Sequence, residues 1–355
     1  GLADSLAAWG VRFIFGTAGD TILPFLDLLK KHPIRFIQFR HEESAAYAAS
    51  AYAKVTGELG VVLSHAGPGA GHLVNGLADA LRDRVPVLAI TGQVESMYLG
   101  TGHKQYINQQ KLLGPVTLRS ENLGSPASLQ TIAADMVRTA LSQAGPVHIS
   151  IPKVFWHQEM SSTEQRPEPY LYQATQSPDD VIKEAGDWLK GIQKPMILVG
   201  RGAWQAVEQV IALADELGAG IVRTLPLVGI MPDHPLVAGG LGEGGSEAAI
   251  ELLRQCDGLI KVGATYWPPA LTSDKKPVLS IDAYPGNISR GIPADFGIVG
   301  DAKTVLSKLI PEIAGTRSRQ VWSDQVKQVV ADWRKRLADE LESASEGYPG
   351  KAIRI

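Results

Sequence analysis

The sequence predicts an α/β protein built from two doubly wound parallel-sheet domains. Short apolar runs alternate with helical stretches of about a dozen residues, the pattern of parallel sheets covered on both faces. A polar stretch with two prolines, HQEMSSTEQRPEPYLYQATQ at 157–176, interrupts that alternation and reads as a linker. Beyond it the alternation restarts, and 355 residues suffice for two cores.

In chain order, buried strands are expected at 11–15 (VRFIF), 34–39 (IRFIQF), 60–63 (GVVL), 85–90 (VPVLAI) and 146–151 (PVHISI). Helices are expected at 21–31, 42–56, 70–83 and 127–143, and the first residues already follow a helical pattern. These make a first domain over 1–156. A second, over 177–315, takes strands at 195–199, 219–223, 258–262 and 277–281, with helices near 204–217, 246–255 and 302–312. Over 316–355 an arm closes the chain; Val326, Val329, Val330, Trp333, Leu337 and Leu341 recur there at helical spacing among charges.

The net charge of −3 gives no basic field for nucleic acid, and the apolar runs have strand length, too short to span a bilayer. Cys256 is the only cysteine, so no intrachain disulfide forms and a reducing, cytoplasmic compartment is expected. The chain begins Gly1-Leu2 without methionine, and is expected to be trimmed at the front.

Chemistry concentrates at loops that follow strands. RHEESAAYAASAYAK (40–54) puts Glu42 and Glu43 at the first turn of a helix, where unpaired N–H groups and the dipole favour carboxylates. Ala45, Ala46, Ala48, Ala49, Ala51 and Ala53 cover the whole circumference, so neighbouring backbone is expected on several sides. A carboxylate crowded out of water and unpaired holds its proton more tightly, which suits it to share one with a ligand. GVVLSHAGPGAGHL (60–73) runs a strand through a glycine-rich turn into a helix; it lacks the GK[ST] of a P-loop and the dinucleotide fingerprint. GRGAWQ (200–205) has G-x-G without the third glycine, so a ligand loop and a plain crossover turn both fit. GGLGEGG (239–245), VGATYWPP (262–269), SIDAYP (280–285) and VGDA (299–302) gather with it at strand ends, where Asp282 can meet a ribose hydroxyl. The eight histidines show no metal-ligand spacing, and no metal site is expected.

Taken together, FGTAGDTILPFLDLL (15–29), RHEESAAYAASAYAKVTGELGVVL (40–63), HAGPGAGHLVNGLADALRDRVPVLAITGQ (65–93) and GPVHISIP (145–152) resemble the thiamine-diphosphate-dependent enzymes of the pyruvate oxidase and acetolactate synthase type. The resemblance covers essentially the whole chain, the first half more strongly. It implies a pyrimidine-binding domain followed by a Rossmann-like central domain, and an oxidase, lyase or transferase acting on small 2-oxo acids. It also implies at least a homodimer, with the cofactor at the subunit interface and the alanine helix buried there.

By the same resemblance Glu42 binds the aminopyrimidine N1′ nitrogen. A proton shared there favours the imino tautomer that generates the reactive ylid, while the cofactor carries the carbanion chemistry. Glu43 is expected to be structural. Ala18, Gly19, Pro68 and His72 line the cofactor, and Gln105 falls on an active-site glutamine. FAD would lie across Gly200, Arg201, Gly202, Ala203, Thr224, Gly242, Glu243, Gly244, Gly263, Thr265, Tyr266, Asp282 and Asp301; ADP or no ligand are the other occupancies of this domain.

Two departures stand out. Lys104-Gln105-Tyr106 replaces the usual Phe-Gln-Glu, so the substrate pocket is expected to differ. The Gly-Asp-Gly motif that anchors Mg²⁺ and the diphosphate in a third domain does not occur, since neither Gly19-Asp20 nor Gly300-Asp301 is followed by glycine. The sequence therefore reads as a piece of such an enzyme, inactive alone. A natural two-domain subunit completed by a partner chain, or a nucleotide-binding regulator, is the alternative.

Overall fold

The computed structural model describes residues 1–158, 176–242, 245–268, 276–315 and 319–345. Most of the expected linker, 159–175, lies outside them. The chain divides into two compact units, Gly1–Gln173 and Ala174–Ile355.

The first unit carries strands β1 (Phe13–Gly16), β2 (Arg35–Gln38), β3 (Gly60–Ser64), β4 (Val87–Gln93), β5 (Arg119–Asn122) and β6 (Pro146–Pro152) in one sheet of order β2-β1-β3-β4-β6-β5. Every pairing is parallel. β3, β4 and β6 are buried throughout, whereas the edge strands RFIQ and RSEN are not. Side chains alternate between two cores. Val61, Leu63, Leu88 and Ile90 face one that includes α1 (Leu2–Ala8), α2 (Leu23–Leu29) and α7 (Leu129–Gln143); Val62, Val87 and Ala89 face the other.

That second core holds α3 (Glu42–Thr56), α5 (Val74–Arg82) and Leu113 of α6 (Gln109–Leu113). His41 caps α3, its Nδ1 accepting the Glu43 N–H at 3.3 Å, and Gly57 closes it at φ +74°. The small residues have a local cause: a Cβ on Gly76 of α5 would come within 2.4 Å of the Ala46 Cβ, so the two helices meet nearly backbone to backbone. A Cβ on Gly60 of β3 would likewise fall 2.2 Å from the Ala49 carbonyl, but one face of the helix is left open. Ala45, Ala46, Ala49 and Ala53 are buried, Ala48 is half-buried and Ala51 is exposed beside Tyr47 and Val55.

The second unit repeats the architecture with β7 (Pro195–Val199), β8 (Gly220–Arg223), β9 (Val237–Gly240), β10 (Gly258–Val262), β11 (Val278–Asp282) and β12 (Phe296–Val299), ordered β12-β11-β10-β7-β8-β9 and all parallel. Helices α8 (Asp179–Lys190), α9 (Val207–Leu217), α10 (Glu247–Gln255) and α11 (Ala302–Ile313) cover it. The closing helix is α12 (Gln320–Ser345), anchored by buried Trp322, Val326 and Val330; the Trp322 indole donates to the Pro195 carbonyl at 3.0 Å. Leu337, expected on its apolar face, is exposed. Among the described residues no helix is long and apolar enough to cross a membrane.

Candidate functional site

In the first unit the expected site residues all follow carboxyl ends of neighbouring strands. Ala18 and Gly19 follow β1, Glu42 follows β2, Pro68 and His72 follow β3 on the short helix α4 (Pro68–His72), and Gln105 follows β4. The chain order runs outward to β2 and back across to β3, so a crevice opens between β1 and β3, where open α/β sheets bind ligands.

Glu42 opens α3, its side chain 13% exposed. Oε2 lies 2.9 Å from His72 Nδ1, across thirty positions of sequence. Oε1 lies beside Gly69, where a Cβ would sit 3.4 Å from it and 2.8 Å from Ser64 Oγ. A glycine there keeps the approach to the carboxylate open. His41 stacks on His72 with ring centroids 4.5 Å apart, and His41, Glu42 and His72 offer ligand atoms all within 4.8 Å of one another. Glu43 is held by Asn75, whose side-chain amide donates to it at 2.8 Å.

His65, at the foot of the glycine turn, is fixed from behind. Its Nδ1 accepts the Thr21 N–H at 3.3 Å and contacts Thr21 Oγ1 at 2.8 Å. Gly19 packs on the same imidazole, a Cβ there falling 2.6 Å from His65 Cβ. Gln105 is exposed and has φ +64°, a left-handed conformation that non-glycine residues rarely hold without a constraint. Its main chain sits against Gly67, since a Cβ on that glycine would lie 2.5 Å from the Gln105 carbonyl. Gln105 and the glycine turn are thus in contact.

Behind this loop lies a buried polar chain that the sequence does not announce. The Ser120 hydroxyl meets His148 Nδ1 at 2.7 Å, His148 Nε2 meets Thr91 Oγ1 at 2.8 Å, Thr91 bonds Gln109, and Gln109 Nε2 donates to the Gly92 carbonyl at 2.9 Å. Burial pushes the His148 imidazole down to about 3.

In the second unit the expected residues also cluster at carboxyl ends of strands, but several are engaged within the chain. Gly200 N donates to Val262 O at 2.9 Å and Gly202 N to Gly263 O at 3.0 Å. Ala203 donates to Gly200 O at 2.9 Å, so the G-x-G turn packs on the Gly263 loop as a crossover turn does. Thr224 is buried after β8, and Thr265 is half-buried after β10. A Cβ on Gly242 would lie 3.3 Å from the ring of exposed Tyr266. Asp282 Oδ1 accepts from Tyr284 N at 2.9 Å and Asn287 Nδ2 at 3.2 Å; Asp301 Oδ1 caps α11 through Thr304 N at 2.9 Å. Arg201 begins a 3-10 turn, while Glu243 and Gly244 lie outside the described residues.

Two cations that sequence reasoning missed join this edge. Arg223 ends β8 with its Nε buried and unbonded among the described residues. Lys261, 1% exposed on β10, donates to Asn287 O at 3.1 Å and Arg290 O at 2.8 Å, and burial lowers it to about 8. A charged residue inside the strand GLIKV was the available signal.

Comparison with known proteins matches residues 1–112 to the thiamine pyrophosphate enzyme N-terminal TPP-binding domain and residues 182–309 to the central domain of the same enzymes. A putative thiamine pyrophosphate-containing protein of Bacillus subtilis, YdaP, is 33% identical over 99% of this chain and 62% of its own length. A probable acetolactate synthase large subunit of Methanocaldococcus jannaschii is 33% identical over 92% and 58%. The pyruvate oxidase of Lactiplantibacillus plantarum is 30% identical over 96% and 58%. This chain therefore spans about six-tenths of the length of such relatives.

Proposed function

The chain belongs to the thiamine pyrophosphate enzymes, and from that premise we propose that it serves thiamine-diphosphate-dependent decarboxylation or carboligation of a small 2-oxo acid, in the manner of pyruvate oxidase or acetolactate synthase. The observation that carries this reading is Glu42. It is a largely buried carboxylate at the head of α3, bonded to His72 through one oxygen and open beside Gly69 at the other.

These residues fit the cofactor's aminopyrimidine. Glu42 would take the N1′ nitrogen and exchange a proton at its carboxylate, with Gly69 placing no side chain against Oε1. His72 orients the Glu42 carboxylate by hydrogen bonding. Gln105, held in a strained backbone conformation against Gly67, presents its amide toward the substrate. Bound thiamine diphosphate supplies the electron sink for the carbanion. The diphosphate and Mg²⁺ are assigned to residues that this sequence does not provide. The uncovered face of α3, with Tyr47 44% and Val55 66% exposed, is assigned to a second subunit.

For the second unit we propose a nucleotide, FAD or ADP, along the carboxyl edge of its sheet. Asp282 at the end of β11 and the unbonded Nε of Arg223 support it. The engaged amides of Gly200 and Gly202 direct the phosphates to other donors.

The test is Glu42→Gln in the full-length protein supplied with thiamine diphosphate and Mg²⁺. Turnover of 2-oxo acids should fall by about 10²–10⁴-fold with the fold intact. Turnover near that of the parent would reject the assignment.

A further inference from the structure

We propose that His41, Glu42 and His72 form a binding site for a first-row transition-metal ion, with Zn²⁺ as the model ligand, and that this ion and the thiamine pyrimidine exclude one another. Among the described residues these three make up the only group of metal-ligating side chains so placed, their donor atoms within 4.8 Å of one another. Two imidazoles and a carboxylate are the donor set that suits zinc, nickel or copper rather than magnesium, which prefers oxygen.

The donor atoms are already close together. His72 Nδ1 and Glu42 Oε2 are 2.9 Å apart, and an ion inserted there displaces the shared proton to His72 Nε2 or to solvent. Both histidines stand at the surface, and their stacked rings, 4.5 Å between centroids, must turn from their present hydrogen bonds if both are to face one ion.

His41 carries the second observation. Without metal its Nδ1 accepts the Glu43 N–H as a helix cap, which leaves Nε2 as the protonated nitrogen. Ligation through Nε2 moves the proton to Nδ1, which then gives up the Glu43 N–H and turns to the Glu43 carboxylate, 3.9 Å away. Glu43 is itself held by Asn75. Carboxylate, imidazole and ion then form the relay that typically orients metal-binding histidines, and a role for Glu43 beyond the first turn of α3 follows. The fourth position is left to water.

Ion binding stands on these side chains alone, but the mutual exclusion rests on the reading of Glu42 as the pyrimidine's carboxylate. The experiment is titration of full-length, cofactor-free protein with Zn²⁺ and separately with Mg²⁺, followed calorimetrically, for the parent, His41→Asn and Glu43→Gln. Asparagine preserves the helix cap, so a folding defect does not mimic loss of a ligand. The parent should bind one zinc per chain at this site and no Mg²⁺ there. Each substitution should weaken zinc binding by about 10–100-fold or more. Absence of zinc binding, or variants that bind as the parent does, overturns the site. The second arm measures thiamine diphosphate uptake, with Mg²⁺ supplied, after zinc loading. Uptake should be blocked until a chelator is added. Zinc that binds through these residues yet leaves uptake untouched overturns the exclusion and the assignment of Glu42, while the metal site stands.

Discussion

Acidification should weaken the first unit through one buried imidazole. His148 is fully enclosed on β6, its neutral form fixed by the Ser120 hydroxyl on one side and Thr91 on the other. Burial lowers it from an ordinary 6.5 to about 3. Because the folded value is depressed, the folded chain holds fewer protons than the unfolded chain between those two values. The stability this group confers is complete above 6.5 and is lost progressively as pH falls toward 3. Linkage puts the loss at about 2 kcal/mol between about pH 7 and about pH 5, approaching about 5 kcal/mol once both states are protonated. The assay is urea unfolding with hydrogen exchange read in peptides from β4 and β6, comparing the parent with His148→Gln. The variant should be less stable at neutral pH and should lack this part of the acid slope. Carboxylates that titrate in the same range cancel in the difference. Parallel pH profiles for the two proteins would refute the argument. The effect reaches the site, because Thr91 and Gln109 of the same polar chain bracket the loop that carries Gln105. Activity should therefore fall with the local stability of that loop.

Two further outcomes are expected. Gln105→Gly relieves a left-handed backbone that costs about 1 kcal/mol or more in a non-glycine residue, so thermal stability should hold or rise. 2-Oxo acid turnover should fall with it, and undiminished turnover would remove the side chain from the site. Asp301→Ala should cost about 1 kcal/mol in denaturant unfolding, since Asp301 Oδ1 caps α11 through Thr304. Flavin or ADP titration should leave nucleotide affinity unchanged; a matching loss of affinity would make Asp301 a ligand contact.

The central strands were legible because a parallel sheet covered on both faces needs unbroken apolar runs, and GVVLS, PMILV and VLSID supply them. The edge strands RSEN and VAGG were not, since an edge has one neighbour and its polar or small residues carry no period. Helix α8 is absent from the predicted elements although Ile182, Ala185 and Leu189 recur at helical spacing; it directly follows the polar stretch that marks the interruption. The alanine pattern of α3 gave a helix approached closely from two sides, but not that one face stays open, because composition around a helix does not say which sides are occupied. Within this chain the close partners are Gly76 of α5 and Gly60 at the start of β3, and the face that carries Tyr47, Ala51 and Val55 stays open.

The site was legible residue by residue and illegible as a site. A carboxylate at a helix start pointed to Glu42 or Glu43, the resemblance chose Glu42, and the glycine turn stood out by its composition. That His72 reaches Glu42, that Gln105 rests on Gly67 and that Thr21 fixes His65 depend on the strand order β2-β1-β3-β4. This order sets side by side the ends of strands separated in sequence by whole helices. The G-x-G of the second unit shows the converse. Its spacing fitted a phosphate loop and a crossover turn alike, because glycines are equally required wherever two turns pack main chain to main chain, as Gly202 and Gly263 do. A short motif therefore states a steric requirement, and only the neighbour that meets it decides whether ligand or protein fills the space.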